Sequence, residues 1–173
     1  MSHSEQVVLL DDTARPIGVA DKALVHTSDP PLHLAFSCHV YSPAGLVLVT
    51  RRALTKKTWP GVWTNSFCGH PAPDESMEEA IERRAHDELG LEIGELELIL
   101  PDFRYRAVDA SGIVENEVCP VYRAVARGDV HANPDEVAEY AWVEPDSLQA
   151  AAQAAPYAFS PWLGWQLAQL ADD

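Results

Sequence analysis

The sequence predicts an α/β domain of the α+β kind, a mixed β-sheet flanked by helices, and three observations support that class. Short segments of alternating apolar and polar residues are spread along the chain, as expected for strands with one buried face. A central segment has both start and stop signals for a helix, and two later segments are helical in composition. The length of 173 residues fits one domain, so residues 1–173 are interpreted as a single unit.

Strands dominate the predicted first half of the chain. In the clearest of them, Leu32, Leu34 and Phe36 share one face of an alternating pattern. A later segment rich in Gly, Pro, Asn and Trp is typical of an ordered functional loop. The predicted elements are strands at residues 7–10, 32–41 and 46–49, a turn at 43–45 and the loop at 59–73.

The second half begins with the central helix, predicted from Ser76 to Leu89. Ser76 and Glu79 have the spacing of a capping box, and Gly90 is a typical residue at which a helix ends. Pro161 after Ser160 is well placed in the first turn of a last short helix. The other predicted elements are strands at residues 96–100, 103–108, 114–126 and 140–143 and a helix at 146–154.

Composition and charge exclude several classes of partner. The net charge of −15 argues against nucleic acid, whose binding proteins present positive charge to the phosphates. No apolar run is long enough to cross a bilayer, and residues 1–6 lack the pattern of a signal peptide. Three cysteines at wide spacing, Cys38, Cys68 and Cys119, favour reduced thiols. We therefore expect a cytoplasmic protein, a monomer by default, with no membrane partner.

The few cations of this acidic chain are gathered in sequence. Eight of its twelve Lys and Arg residues form four pairs: Arg51 with Arg52, Lys56 with Lys57, Arg83 with Arg84, and Arg104 with Arg106. Each pair alone is typical of a solvated surface. Together they favour a site for a small, highly charged anion.

Two short motifs carry chemistry. Cys68 lies two residues before His70, and Glu115 and Glu117 are spaced so that a strand projects both to one face. A thiol, an imidazole and two carboxylates on one face indicate a metal site, an acid–base site, or both.

Residues 69–91 read G-x5-E-x7-R-R-A-H-D-E-L-G-L, which resembles the Nudix box, G-x5-E-x7-R-E-U-x-E-E-x-G-U, where U is bulky and apolar. The resemblance implies a loop–helix–loop whose carboxylates hold Mg²⁺ against a diphosphate, since Mg²⁺ prefers oxygen ligands. The matching residues are Gly69, Glu75, Arg83, Glu88, Gly90 and Leu91. Arg84 and Asp87 replace two glutamates of the box, and Ala85 is small for its position. Arg84 puts a cation where hydrolytic members generally need a metal ligand, which argues against diphosphate hydrolysis.

Longer segments carry a second resemblance. They are LHLAFS (32–37), TRRALTKKTWPGVWTNS (50–66), CGHP (68–71), PDFRYRA (101–107), GIVENEVCPV (112–121) and FSPW (159–162). In this order they are similar to the type I isopentenyl diphosphate isomerases, enzymes of Nudix fold in isoprenoid biosynthesis. The resemblance runs from about residue 7 to residue 162.

That resemblance implies a divalent metal held by three histidines and two glutamates. The matching positions are His26, His33, His70, Glu115 and Glu117. Such a set suits Mn²⁺ or Zn²⁺ and is unusual for Mg²⁺ alone. The remaining histidines, His3, His39, His86 and His131, have no comparable context and are assigned no role.

The implied reaction is the 1,3-allylic shift between isopentenyl and dimethylallyl diphosphate, which needs an acid and a base in a site closed to water. The resemblance gives these roles to Cys68 and Glu117, makes Tyr105 a relay near the glutamate, and turns the ring of Trp162 toward a carbocation. Which of Cys68 and Glu117 is the acid stays open. The implied diphosphate site consists of Mg²⁺ on Glu88 and the Cys68 carbonyl, with Lys22, Arg52, Lys56 and Arg84.

Two alternatives remain beside the isomerase. Glu75, Arg83 and Glu88 are compatible with a Nudix pyrophosphohydrolase, which Arg84 opposes. A non-enzymatic module that binds diphosphates and is stabilised by a metal would need neither the Cys68 thiol nor the Tyr105 relay.

Overall fold

The computed structural model describes residues 4–173, so residues 1–3, the start of the polar stretch at 1–6, lie outside the described part. The strands are β1 (Gln6–Leu10), β2 (Pro16–Asp21), β3 (His33–Leu34), β4 (Phe36–Tyr41), β5 (Val47–Arg52), β6 (Trp63–Thr64), β7 (Phe67–Gly69), β8 (Glu92–Leu100), β9 (Arg104–Val108), β10 (Val114–Val118), β11 (Val121–Arg127) and β12 (Val137–Val143). The helices are α1 (Lys22–Val25), α2 (Met77–Leu89), α3 (Pro145–Ala154) and α4 (Pro161–Ala171), with a 3₁₀ turn at Pro156–Ala158.

Within residues 4–173 the strands form two mixed sheets. The first has the order β2-β1-β3-β10-β9, and the second has the order β12-β5-β4-β11-β8, with β6 paired to β5 and β7 to β4. The same two stretches of chain supply the parallel pairs of both sheets, because β3 lies parallel to β10 and β4 lies parallel to β11. Helices pack against these sheets, which confirms the predicted α+β class.

The prediction of one continuous strand is wrong for residues 32–41 and for residues 114–126. Each segment leaves the first sheet and enters the second, with breaks at Ala35 and next to Pro120. Proline has no backbone N–H, so it cannot continue a ladder of hydrogen bonds. Ala35 N donates to Val118 O at 2.9 Å, which keeps the two crossings side by side. The sheets are therefore joined where these neighbouring segments change partners.

Other strands escaped the sequence prediction or exceed it. Strand β2 was not predicted because most of its residues are exposed and give no alternating pattern. The loop predicted at residues 59–73 contains β6 and β7, each too short to produce a periodic signal. Strands β8 and β12 begin at Glu92 and Val137, before the predicted 96 and 140.

Helix α2 begins and ends as predicted. Ser76 Oγ accepts a hydrogen bond from Glu79 N at 3.2 Å, and Glu79 Oε2 accepts one from Ser76 N at 2.9 Å, which confirms the capping box. Gly90 ends the helix in the left-handed region, with a φ of 55°. The apolar face of α2 packs on Phe36 and Phe67 of the second sheet.

Gly69 allows α2 to lie close to the second sheet. A Cβ at Gly69 would be 2.7 Å from Arg84 Cγ and 2.8 Å from Phe36 Cζ, which is too close for real contacts. This position therefore needs glycine for packing. The close approach brings the buried side chain of Arg84 beside β7.

Helix α4 packs against both parts of the core. Trp162 packs with Tyr105 of the first sheet, and Leu163 packs with Val47 and Val49 of the second. Within residues 4–173 no helix combines the length and apolar character needed to cross a bilayer.

Candidate active site

Strand register aligns three predicted site residues on one face of the first sheet. Glu117 on β10 is paired with His33 on β3 and with Tyr105 on β9. Directly paired residues project to the same face, and Glu115 joins that face two residues earlier. All four side chains are buried; Glu117 is 4% exposed and His33 is 0% exposed.

Three histidines converge on Glu117. Ligand atoms of His26, His33, His70 and Glu117 all lie within 4.8 Å of one another. Glu117 Oε1 is 2.9 Å from His70 Nε2 and 3.2 Å from His33 Nε2. His33 Nδ1 lies 3.0 Å from Pro31 O, an acceptor that requires a proton on Nδ1 and leaves the lone pair of the neutral ring on Nε2.

This cluster fits a divalent cation. The 3.2 Å contact between His33 Nε2 and Glu117 lacks hydrogen-bond geometry, and within residues 4–173 this buried nitrogen has no hydrogen-bond partner. Buried polar atoms normally have partners, and a cation would supply one here. Imidazole nitrogens with a carboxylate suit Zn²⁺ and other transition metals. Glu115 stands apart from the cluster, because its carboxyl oxygens accept from Thr58 Oγ1 at 2.9 Å and lie 2.8 Å from the Tyr105 hydroxyl.

The Tyr105 hydroxyl links the two glutamates. Its oxygen is 2.8 Å from Glu115 Oε2 and 2.8 Å from Glu117 Oε2. A phenol has one proton to donate, so only one of these carboxyl groups can accept it while the other donates back. Burial and the charge of Glu117 raise the pKa of Glu115. Although burial opposes it, the neighbouring imidazoles, above all His70 with its 2.9 Å hydrogen bond to Oε1, hold the pKa of Glu117 well below its usual range. Of the two carboxyl groups, Glu115 is therefore the more readily protonated.

Cys68 on β7 lies directly opposite Ser37 on β4. Its Sγ is 3.3 Å from Ser37 Oγ and donates to Asn65 Oδ1 at 3.3 Å. Burial raises the pKa of the thiol to about 12 despite these hydrogen bonds, so the sulfur keeps its proton at neutral pH. Cys68 is partly exposed, whereas Cys38 and Cys119 are buried. Its thiol is thus suited to exchanging a proton with a molecule in front of it.

Trp162 on α4 forms an aromatic wall with two other rings. It stacks on Tyr105 with ring centroids 5.6 Å apart, and Trp59 meets it edge-on at 5.1 Å. Its indole N–H donates to Asn65 Oδ1 at 3.1 Å, which fixes the plane of the ring. Arg52 Cζ lies 5.6 Å from the ring centroid, so one face already has a cation neighbour.

The cations predicted to bind phosphate are held by carboxylates and carbonyls. Lys22 Nζ is 2.6 Å from Glu5 Oε2, and Arg52 donates to Thr58 O. Lys56 pairs with Glu136, and Arg84 pairs with Glu88 and lies 3.7 Å from Glu136 Oε1. Burial lowers the pKa of Lys56 to about 8; Glu88 opposes this, and the neighbouring cations reinforce it.

These groups surround a cavity of about 430 Å³. The predicted site residues that line it are Lys22, His26, Arg52, Lys56, Cys68, His70, Arg84, Glu88, Tyr105, Glu115, Glu117 and Trp162. His33 lies beneath the surface of the cavity, in contact with Glu117. The thiol comes from the second sheet and the carboxylates from the first, so the cavity lies where the two sheets meet.

Sequence reasoning missed three polar contributors. Asn65 receives hydrogen bonds from both Cys68 and Trp162, and Thr58 donates to Glu115. Both lie in a segment that resembled the isomerases, but nothing in their spacing indicated a role. Glu136 belongs to an irregular segment before β12 and gave no signal, because its partners Lys56 and Arg84 are distant in sequence.

Known proteins with similar sequences establish the family. The family model of the NUDIX domain matches residues 31–163. The isopentenyl-diphosphate Delta-isomerase of Clavibacter michiganensis subsp. michiganensis is 65% identical over 165 residues, which cover 95% of this chain and 85% of that protein. The chain belongs to the isopentenyl-diphosphate Delta-isomerase family of NUDIX proteins. The isopentenyl-diphosphate Delta-isomerase of Kocuria rhizophila is 63% identical over 166 residues, which cover 96% of this chain and 92% of that protein.

Solved structures support the fold of this family member. DR0079 of Deinococcus radiodurans superposes with a TM-score of 0.73 at 19% identity, covering 95% of this chain and 98% of that one. The MutT protein of Methanosarcina mazei gives a TM-score of 0.55 at 21% identity, covering 69% and 82%. At these identities the likeness concerns the fold alone. The predicted Nudix-like domain is therefore confirmed.

The segment that resembles the Nudix box, residues 69–91, contains two ion pairs of neighbouring arginines. Arg83 forms a two-bonded pair with Glu75, with Nε at 2.7 Å and Nη2 at 2.9 Å from its carboxylate oxygens. Arg84, which replaces a glutamate of the box, contacts Glu88 one helical turn later. Arg83 thus stabilises the start of α2, while Arg84 puts a positive charge on the wall of the cavity.

Proposed function

We propose that this protein interconverts isopentenyl diphosphate and dimethylallyl diphosphate by a 1,3-allylic proton shift in isoprenoid biosynthesis. One observation carries the proposal: the Cys68 thiol and the Glu117 carboxylate, brought by different sheets, line the same cavity. Neither diphosphate binding nor hydrolysis needs such a pair. The names of relatives that are 58–65% identical support the substrate.

The reaction requires two proton transfers, one to carbon and one from carbon. One group protonates the terminal carbon of the double bond and leaves a tertiary carbocation. A second group then removes a proton from the carbon adjacent to the one that bears the diphosphate oxygen. The electron pair of that C–H bond forms the new double bond to the cationic carbon. We assign these transfers to Cys68 and Glu117. After one turnover the acid has lost a proton and the base has gained one, so a proton must pass from the base back to the acid before the next turnover.

Tyr105 and Trp162 assist those transfers in this proposal. The Tyr105 hydroxyl, 2.8 Å from both glutamates, relays a proton between Glu117 and Glu115. The Trp162 ring, fixed by Asn65, offers a π face to the carbocation, an attraction of about 2 kcal/mol when water is excluded. The enclosing aromatic rings keep water from trapping the cation.

Two divalent cations complete the proposed site. We assign Mn²⁺ or Zn²⁺ to His26, His33, His70 and Glu117. Glu115 is assigned as the fifth ligand and would have to release Thr58 or Tyr105 to reach the ion. We assign Mg²⁺ to Glu88 and the backbone carbonyl of Cys68. When bound, they supply positive charge beside the Glu117 carboxylate and against the diphosphate. Lys22, Arg52, Lys56 and Arg84 bind the remaining phosphate oxygens, the arginines through paired N–H donors.

The hydrolase alternative has less support. Arg84 contacts Glu88 and replaces a carboxylate that would hold a second metal ion near the phosphates. A cation at this position attracts the diphosphate and leaves the hydrolytic metal one ligand short.

We also propose that the protein acts in the cytoplasm as a monomer, without nucleic acid. Its net charge of −15 disfavours contact with phosphate backbones. Light scattering of the purified protein tests the monomer directly, and a mass of twice 19.0 kDa would contradict it.

Proton NMR of isopentenyl diphosphate in D₂O, with Mg²⁺ and Mn²⁺, tests the proposed function. We expect dimethylallyl methyl signals to appear with deuterium incorporated, and to be lost in Cys68→Ala. Release of inorganic phosphate instead would favour the hydrolase. An unchanged substrate spectrum with both metals bound would overturn the isomerase.

A further inference from the structure

A buried chain of polar side chains leads to the back of Cys68. Ser37 and His39 lie two residues apart on β4, and so on the same face of the strand, and Gln166 reaches them from α4. Gln166 Nε2 donates to Ser37 Oγ at 2.9 Å, and Gln166 Oε1 lies 2.8 Å from His39 Nε2. Ser37 and Gln166 are 0% exposed and His39 is 1% exposed. None of these three residues lines the cavity, so the proposed chemistry leaves the chain unexplained.

The hydrogen bonds of this chain have one direction, which Asn65 sets. Asn65 Nδ2 donates to Cys38 O at 3.1 Å and to Phe67 O at 2.8 Å. Its Oδ1 can therefore only accept, and it accepts from Thr64 Oγ1, Trp162 Nε1 and the Cys68 S–H. Since the sulfur has used its proton there, the contact with Ser37 at 3.3 Å is made by the Ser37 O–H donating to sulfur.

The other end of the chain agrees with that direction. Ser37 gives its proton toward sulfur, so its oxygen accepts from the Gln166 amide nitrogen. The Gln166 carbonyl oxygen then accepts from His39 Nε2–H, which fixes the tautomer of the neutral ring. Hydrogen bonds aligned in this way polarise one another, and a fully satisfied buried network specifies one side-chain arrangement.

We propose that Ser37, Gln166 and His39 are positioning residues that hold the Cys68 sulfur in one rotamer at the wall of the cavity. The inference rests on the proposed role of Cys68 in the isomerase. Proton transfer depends steeply on where the exchanging atom lies relative to the reacting carbon, and two fixed hydrogen bonds leave the thiol a single rotamer. His39 thus acts on the site through two intervening side chains.

Cys119 provides an internal control. Its Sγ lies 3.4 Å from Ser37 Oγ, and it does not line the cavity. Because the single Ser37 proton is directed at Cys68, this contact is made by the Cys119 S–H donating to Ser37 Oγ. Removing this thiol leaves the Ser37–Cys68 contact in place. If the chain positions Cys68, Cys119→Ala keeps full activity, whereas Ser37→Ala does not.

The test combines kinetics with infrared spectroscopy of the S–H stretch in the intact protein. The Cys68 band is identified as the one missing in Cys68→Ala. We expect Ser37→Ala and Gln166→Met to shift that band to higher frequency, because the sulfur loses a polarising donor. The same variants should lower kcat about tenfold with KM unchanged, the factor that corresponds to one ordinary hydrogen bond. Cys119→Ala should leave both the Cys68 band and kcat unchanged.

A matched pair separates the hydroxyl from packing. Ser37→Thr and Ser37→Val add the same volume, but only the first keeps the donor, so Thr should retain the Cys68 band and most of the activity while Val loses both. Equal loss in the two variants would overturn the proposal, and so would a shifted band with unchanged kcat. The band is read without substrate. If the wild-type protein failed to isomerise isopentenyl diphosphate but the variants still shifted the Cys68 band, only the proposed function would be contradicted.

Discussion

The two ends of the cavity are held by different physical means. At the proton-transfer end, formed by Cys68, Glu115, Glu117 and Tyr105, strand pairing and hydrogen bonds fix every group. At the cation end, formed by Lys22, Arg52, Lys56 and Arg84, the charges rest mainly on carboxylates such as Glu5 and Glu136. The side chain of Glu117 is 5% exposed, whereas those of Lys22 and Lys56 are 31% and 25% exposed. If the proposed roles hold, the proton-transferring groups are fixed before substrate arrives, while the phosphate-binding groups exchange one anion for another.

Loss of either proton-transfer group should have the largest effect. In Cys68→Ala and Glu117→Gln one of the two proton transfers has no donor or acceptor, so kcat should fall by about 10²–10⁴-fold or more. Because the proposed diphosphate site lies at the other end, binding of the substrate should survive, as measured by calorimetry. Cys38→Ala, which removes a buried thiol that does not line the cavity, is the control. Full activity in Cys68→Ala or Glu117→Gln would contradict the assignment.

Removing only the link between the glutamates should cost less. Tyr105→Phe keeps the ring stacked on Trp162 but removes the hydroxyl that lies between Glu115 and Glu117. We expect kcat to fall by about 10–10²-fold with little change in KM, because the hydroxyl touches the proton path and not the phosphates. Steady-state kinetics measures both constants. A rise in KM with unchanged kcat would assign Tyr105 to binding instead.

At the cation end the sign of the effect should depend on the charge removed. Lys56→Met removes a phosphate-binding cation, so KM should rise about tenfold with kcat nearly unchanged. Glu136→Gln removes the anion that now pairs with Lys56 and should lower KM, because the diphosphate no longer displaces a carboxylate. Arg123→Gln, on the far face of β11 above Tyr41, controls for net charge. A higher KM in Glu136→Gln would mean that Glu136 orients Lys56 rather than competing with substrate.

The two ends also differ in how well the sequence predicted them. Cys68, His70, Glu115 and Glu117 lie in two short motifs, and the i, i+2 spacing of the glutamates correctly indicated a shared strand face. Each of these motifs belongs to one strand or its end, so local periodicity describes it.

What escaped prediction depends on contacts between distant segments. Glu136 meets Lys56 across 80 positions of sequence, and Gln166 meets Ser37 across 129. No local pattern marks such pairs. The strand breaks at Ala35 and Pro120 were missed for a related reason: both flanking strands are buried, so their apolar pattern continues unbroken while the hydrogen-bonding partner changes. Residues 4–173 thus follow the predicted α+β class, but the register that builds the site comes from tertiary pairing.

The ion pair of Arg83 with Glu75 offers the smallest and cleanest effect, since it stands outside the chemistry. The hydrogen bonds that Glu75 accepts from Arg83 hold its pKa below the ordinary 4.5, against the opposing effect of burial. A carboxylate whose pKa is lower in the folded than in the unfolded state stabilises the fold at pH values above its unfolded-state pKa. That stabilisation disappears as the pH falls through the folded-state pKa. Glu75→Gln should therefore lower the free energy of unfolding by under about 1 kcal/mol at neutral pH, since the pair is partly exposed. In urea titrations the difference from wild type should shrink below pH 4.5 and vanish once Glu75 is protonated in both states. A difference that persisted in acid would show that the amide disturbs the helix start itself, through the bond that Glu75 Oε2 accepts from Ala72 N at 2.9 Å.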